Sequence, residues 1–249
     1  MTKRNKKSLD ERVAAAVRRF WRTRSSQGRR QGSTTGRQDS GNRAVATGGK
    51  QLDGFNQLIS ELLEEAKIPR QSILRTSRKD VTLPGFFRPT KQWDLLVLHE
   101  RSLLGVLECK ALCGPSFGNN YNNRIEEAIG NATDIWTAFR EGRFSPSPKP
   151  FVGYLLIVEE AAGSTRPVSV VQEHFAVYPE FAEASYVRRC EESVRRLVHE
   201  RCYDAGCLIV THKTRGKRGE YSEPATDLTF SRFAQLMCGQ IATLYRATA

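Results

Sequence analysis

Residues 93–112 read Trp93-Asp94-Leu95-Leu96-Val97-Leu98-His99-Glu100-Arg101-Ser102-Leu103-Leu104-Gly105-Val106-Leu107-Glu108-Cys109-Lys110-Ala111-Leu112. Two apolar runs, 94–99 and 103–111, flank the polar triplet Glu100-Arg101-Ser102, and this spacing predicts a β-hairpin. Side chains alternate along a strand, so Glu108 and Lys110 share one face and Cys109 takes the other. In an antiparallel pair the start of one strand lies beside the end of its partner, which brings Asp94 to Glu108. The hairpin thus gathers two carboxylates and one ammonium.

Two carboxylates at one point repel each other unless a cation lies between them. Hard oxygen ligands of this kind suit Mg²⁺, which keeps several waters and takes one or two carboxylates plus phosphate oxygens. A lysine two residues on can hold an attacking water or neutralise charge on a phosphoryl group. Glu108 interrupts the apolar run 103–107, where an unpaired charge is costly to bury. The plain alternative is a strand edge carrying an ion pair, because Glu-x-Lys is a common tripeptide.

Aspartate followed by Glu-x-Lys on a hairpin resembles the core of the PD-(D/E)XK nucleases, with Trp93 standing where that family often has proline. The resemblance implies Asp94, Glu108 and Lys110 as the catalytic set. It further implies Asp94, Glu108 and the Cys109 carbonyl as ligands of Mg²⁺. Such proteins often add an acidic residue from a preceding helix, and Glu65 is the candidate here.

The chain has 249 residues, enough for one large domain or a domain with an appendage. The net charge of +12 is concentrated at one end. Residues 1–50 hold 14 Lys/Arg and 3 Asp/Glu, a net of +11, and the other 199 hold 25 and 24, a net of +1. A basic arm on a near-neutral body suits a polyanionic partner, with phosphate contacts giving affinity without sequence choice. No stretch approaches the roughly 20 apolar residues that span a bilayer, and no secretory signal is visible. The expectation is a cytoplasmic protein with no membrane partner. None of the six cysteines forms a CxxC pair, so buried free thiols are expected rather than zinc.

Along the chain, Ser8 is the expected N-cap of a helix over 9–24, with Val13, Ala16, Val17, Phe20 and Trp21 as its apolar stripe and arginines over the remainder. These arginines are expected to turn to DNA. Residues 25–50 are rich in Gly, Ser, Thr, Gln and Arg and read as a linker, or as a segment that orders on DNA. Residues 52–66 form a second helix, with Glu61, Glu64 and Glu65 off its apolar face. A short strand is expected around 72–74. Gly85, Pro84 and Pro89 argue for an irregular loop over 83–89. After the hairpin, 112–124 reads as a polar loop near any substrate, where Asn119, Asn120, Asn122, Asn123 and Arg124 are candidates for DNA contact or for ordinary turn chemistry. A helix over 124–141, a buried strand over 151–158, a helix over 184–202, a strand over 207–212 and a helix over 230–245 follow. Lys213, Arg215, Lys217 and Arg218 lie on a basic loop suited to a DNA backbone.

This gives an α/β fold in the αβββαβ order of the PD-(D/E)XK restriction-endonuclease-like core: a mixed sheet flanked by helices, with helical N-terminal and C-terminal elaborations. The division is 1–50, a basic helix and linker, and 51–249, the nuclease domain. Its core covers about 52–160 and its C-terminal elaboration about 161–249. Chain length, the basic N-terminal region, WDLLVL…GVLECKAL and the Asn-rich stretch are similar to the XhoI-type type II restriction endonucleases. That resemblance implies a restriction-modification homodimer cutting double-stranded DNA at the palindrome CTCGAG after the first C, with Mg²⁺ and a 5′ overhang. A two-fold dimer matches a palindrome naturally. Two other readings stand beside it. A structure-directed or repair nuclease on the same core predicts cleavage set by DNA shape. A non-catalytic DNA-binding protein predicts binding through the arm and no metal-dependent chemistry.

Overall fold

The computed structural model describes residues 7–35, 49–75 and 79–248. The strands are β1 (Ile73–Leu74), β2 (Thr82–Pro84), β3 (Thr90–Gln92), β4 (Leu95–His99), β5 (Ser102–Leu112), β6 (Phe151–Glu160) and β7 (Ala205–His212). Five of them form one sheet in the order β1-β4-β5-β6-β7, and β2 and β3 pair separately. The β1–β4 and β4–β5 pairs are antiparallel, whereas β5–β6 and β6–β7 are parallel. The long helices are α1 (Leu9–Thr35), α2 (Asp53–Glu65), α3 (Phe117–Arg140), α4 (Tyr186–His199) and α5 (Phe230–Thr248), and a single helical turn covers Ala162–Thr165.

The apolar runs of β5, β6 and β7 are buried from end to end because helices cover both faces of the sheet. On one face, Val13, Val17, Phe20 and Trp21 of α1, Phe55 and Ile59 of α2, and Met237 and Ile241 of α5 pack on Leu95, Val97 and Cys109. On the other, Ala128, Ala132 and Ile135 of α3 and Val194 and Leu197 of α4 pack on Leu96, Val106 and Leu156. The crossover from β5 through α3 returns to the parallel strand β6 beside it. Main-sheet elements and helices therefore follow the expected order, α2, β1, β4, β5, α3, β6. The result is a mixed five-stranded sheet flanked by helices. No helix among the described residues is long and apolar enough to cross a membrane.

Several boundaries differ from expectation. α1 continues through Thr35, into the stretch expected as linker. The rest of that stretch, 36–48, lies outside the described residues. Residues 83–89 are not wholly irregular. β2 and β3 form a small hairpin whose tip spans 85–89. The stretch 112–124 is not a loop throughout, for α3 begins at Phe117 and carries the asparagines. Phe117 stacks near Tyr186 and Tyr121 tilts on the same ring, so contact with α4 overrides the weak helix preference of Asn. The six cysteines are free thiols, four of them buried.

α1 is built into the body. Trp21 Nε1 donates to Thr211 Oγ1 at 3.2 Å, and the turn Arg215–Arg218 closes over the indole. A Cβ on Gly216 would lie 2.2 Å from the ring, so this close approach requires glycine. Arg12 pairs with Glu61 and Glu65 of α2, and Arg24 donates to Gln51. These arginines, expected to face DNA, bond instead to the neighbouring structure.

Candidate active site

The β4–β5 register pairs Leu95 with Leu107. One step back sets Asp94 opposite Glu108, and the Asp94 amide donates to the Leu107 carbonyl at 3.1 Å. Asp94 Oδ2 accepts from the Cys109 amide at 2.7 Å, which fixes the carboxylate at the mouth of the hairpin. Glu108 is buried, with 1% of its surface exposed. Its Oε1 lies 2.5 Å from Lys110 Nζ and its Oε2 lies 2.9 Å from Lys91 Nζ. The apolar interruption in the sequence is thus a buried carboxylate compensated by two ammoniums, the condition under which such a charge is tolerated.

Burial raises the Asp94 carboxyl, and repulsion from Glu108 raises it further, to about 6, against the Cys109 N–H and the two lysines. Burial pulls the Lys110 ammonium down, but Glu108, with Asp94 and Glu127, outweighs it and holds Lys110 above its usual range. Lys110 is therefore a charged donor. A deficit of positive charge remains at Asp94.

The structure places other expected residues as follows. Glu65 pairs with Arg12 Nη1 at 2.9 Å. It is not in this cluster, because α2 packs on the Cys109 face of the sheet whereas Glu108 and Lys110 point to the α3 face. The polar α2 side chain that meets the strand is Asn56, accepting from Cys109 Sγ at 3.4 Å. Asn119, Asn122 and Asn123 are exposed on the first turns of α3, and Asn120 is half-buried and donates to the Cys113 carbonyl. Arg124 pairs with Glu127 at 2.9 Å, and Glu127 lies 3.5 Å from Lys110. Lys213, Arg215, Lys217 and Arg218 are exposed. Arg215 pairs with Glu160 and Arg218 with Glu220, and their turn packs on α1.

Three residues of this neighbourhood are absent from the expected set. Lys91 sits on β3, over the Trp93 ring at 4.5 Å, in a stretch whose hairpin the sequence does not announce. Asn131 donates from Nδ2 to Glu108 Oε1 at 3.3 Å. Asp134, one turn further along α3, accepts from the Phe86 and Phe87 amides and from Arg88 Nε, each at 2.8 Å. A signal exists for the α3 residues. Glu127, Asn131 and Asp134 recur at spacings of four and three, a polar line beside the apolar stripe.

The model of the family described as restriction endonuclease XhoI matches residues 30–223. The type II restriction enzyme BstVI of Geobacillus stearothermophilus is 45% identical over 210 residues, covering 82% of this chain and 93% of that one. The type II restriction enzyme XhoI of Xanthomonas vasicola is 40% identical over 189 residues, covering 76% and 75%. This chain belongs to the XhoI restriction endonuclease family. It is a type II site-specific DNA endonuclease acting on double-stranded DNA. No solved structure matches it significantly.

Type II restriction enzymes generally need a divalent metal. Among the described residues no group of three or more His, Cys, Asp or Glu side chains is arranged to hold one. A XhoI-family metal site here would rest on two carboxylates and leave the remaining positions to backbone, water and phosphate. The residues fit that demand. Asp94 and Glu108 offer hard oxygen donors, and the raised Asp94 carboxyl marks a place where added positive charge is stabilising.

Proposed function

We propose that this restriction endonuclease is a homodimer built on the PD-(D/E)XK core, with Asp94, Glu108 and Lys110 as its catalytic residues. The observation that carries the reading is the cross-strand placement of Asp94 against Glu108, with Lys110 bonded to the same carboxylate. Asp94, Glu108 and the Cys109 carbonyl would hold Mg²⁺, which when bound supplies charge stabilisation at the phosphoryl group. Lys110, kept protonated, orients the attacking water and donates toward the phosphate oxygens. Water attacks phosphorus in line, and the 3′ oxygen leaves, giving a 5′-phosphate.

The proposed site is CTCGAG, cut after the first C on each strand. The resemblance of WDLLVL…GVLECKAL to the XhoI-type enzymes supports that assignment. Residues 51–249 are proposed as the nuclease domain, with 1–50 as a basic N-terminal region, in a cytoplasmic enzyme. Asn119, Asn122, Asn123 and Arg124 are proposed DNA contacts because they are carried on the helix that follows the catalytic strand. Asn120 is less free, being tied to Cys113. Lys213, Arg215, Lys217 and Arg218 are proposed backbone contacts, an exposed basic turn beyond the sheet.

The test is incubation with plasmid DNA with and without Mg²⁺, followed by sequencing of the ends. Discrete Mg²⁺-dependent fragments with four-base 5′ overhangs at CTCGAG are expected. Cleavage at another palindrome would overturn the site assignment. Undiminished cleavage by Asp94→Ala, Glu108→Ala or Lys110→Ala would remove that residue from the mechanism.

A further inference from the structure

The tip of the β2–β3 hairpin, Gly85-Phe86-Phe87-Arg88-Pro89, is used by none of the roles above. Phe86 is 51% exposed and Phe87 68% exposed, among the largest apolar side chains in water on this molecule. Their rings meet edge to face, with centroids 4.9 Å apart. The tip is firmly held. Asp134 Oδ1 accepts both phenylalanine amides, its Oδ2 accepts from Arg88 Nε, and the Gly85 amide donates to the Pro89 carbonyl at 3.3 Å. A Cβ at position 85 would lie 2.6 Å from Asp134 Oδ2, so the carboxylate reaches the tip only past glycine. Asp134 is itself buried on α3. A rigid helix thus fixes two phenyl rings in solvent, which is unfavourable unless a partner covers them.

The tip also adjoins the reaction centre. Arg88 Nη2 donates to Asn131 Oδ1 at 2.7 Å, and the same amide donates to Glu108 Oε1 at 3.3 Å. The strand leaving the tip carries Lys91, the second cation on Glu108. A duplex that brings a phosphate to Asp94, Glu108 and Lys110 must pass beside this hairpin.

We propose that Phe86 and Phe87 form an apolar wedge that enters the groove of duplex DNA beside the phosphate being cut, with Arg88 at its base. The wedge rests on the reading of Asp94, Glu108 and Lys110 as the catalytic set. Apolar side chains set in this way lodge against sugars and between base steps, and unstack them. Duplex DNA fits the tip better than a second copy of the chain does. The exposed area of the two side chains is roughly 240 Å², short of the roughly 500 Å² per partner that a stable interface buries. The cation beside it is Arg88, whose side chain is 39% exposed, whereas Lys91 is turned inward to Glu108. A protein partner seated on it would also cover the approach to Glu108.

The test compares wild type, Phe86→Ala/Phe87→Ala and Phe87→Trp on a duplex carrying the mapped cleavage site, with Ca²⁺ replacing Mg²⁺ during binding. Stacking on aromatic side chains sets the expected scale, and the double variant should bind at least about tenfold more weakly. The slope of affinity against salt should stay unchanged, because no phosphate contact is removed. The indole fluorescence that Phe87→Trp adds over wild type should be quenched by the duplex. A 2-aminopurine next to the cut should brighten with wild type and stay dark with the double variant. Melting temperature and far-UV circular dichroism, unchanged for these exposed positions, establish that the fold is intact. Wild-type affinity in the double variant would overturn the wedge while leaving the catalytic reading in place. A change in oligomeric state without DNA would also overturn it, assigning the tip to subunit contact. Absence of both binding and Mg²⁺-dependent cleavage in wild type would overturn the catalytic reading, and the wedge with it.

Discussion

Replacing Asp94 by Asn should abolish cleavage and yet stabilise the metal-free protein. The carboxyl is raised from 3.8 to about 6 in the folded chain, first by burial and then by Glu108. Between those two values the folded state binds a proton that the unfolded state has released. Stability therefore falls as pH rises through this window, and above about pH 6 the ionised Asp94 is a standing cost. At about 1.36 kcal/mol per unit, two units correspond to about 3 kcal/mol. Asn is neutral and similar in shape, and its Oδ1 can still accept the Cys109 amide. In EDTA at about pH 7.5, Asp94→Asn should gain up to about 3 kcal/mol, or about 6–12 °C in Tm for a chain of this size. Below about pH 4 the gain should vanish, because both states of the wild type are then protonated. Adding Mg²⁺ should raise the wild-type Tm and narrow the gap, since a cation at the carboxylates removes the penalty. Thermal melts across this pH range, with and without Mg²⁺, test this. An Asp94→Asn protein that melts with or below wild type at neutral pH in EDTA would refute the reasoning.

The same cluster predicts the opposite sign one strand away. Glu108→Gln should abolish cleavage and destabilise by about 3 kcal/mol, because Lys91 and Lys110 lose their shared buried counter-charge. Denaturant melts would read this, and an unchanged midpoint would sink it. Lys91→Met should tighten binding of a probe cation such as Tb³⁺ roughly tenfold or more, since Glu108 Oε2 is then released from an ammonium 2.9 Å away. A luminescence titration that shows equal or weaker binding would count against Lys91 as a competitor for that oxygen. Asp134→Ala should cost about 2–3 kcal/mol at neutral pH through the loss of charge-assisted bonds to Phe86, Phe87 and Arg88. Burial raises the Asp134 carboxyl, but bonds from Arg88 and the two amides lower it more. Its contribution is therefore present above the unfolded carboxyl value and is lost as pH falls through the depressed one. A Tm difference that persists undiminished at about pH 2 would contradict that linkage.

The reaction centre is legible because two local periodicities coincide. Alternation in 94–111 puts Glu108 and Lys110 on one face, and hairpin geometry alone puts Asp94 beside them. What escapes depends on contacts between distant segments. The asparagines of 119–123 are poor helix formers, and their helix is secured by Phe117 and Tyr121 against Tyr186, far along the chain. Lys91 needs a hairpin that Pro84, Gly85 and Pro89 argue against. The sequence can place Glu65 beside an apolar stripe but cannot say which face of the sheet that stripe will cover. In the structure it covers the face opposite Glu108. Asn131 and Asp134 are readable in principle, as polar residues continuing a helical line from Glu127. The apolar spacing on the same helix carries the stronger signal and masks them.

The seat of Trp21 has a consequence for synthesis of the chain. Its hydrogen-bond partner, Thr211, lies 190 positions later, and Gly216, which closes over the indole, comes later still. At about 5–20 residues per second, a ribosome makes Trp21 about 10–40 s before the residues that enclose it. The first helix can meet α2 early, but its indole waits for the last third of the protein. Release of a fully closed enzyme is thereby tied to completion of the polypeptide. A chain stalled before Thr211 carries an open aromatic seam that a chaperone or protease can recognise.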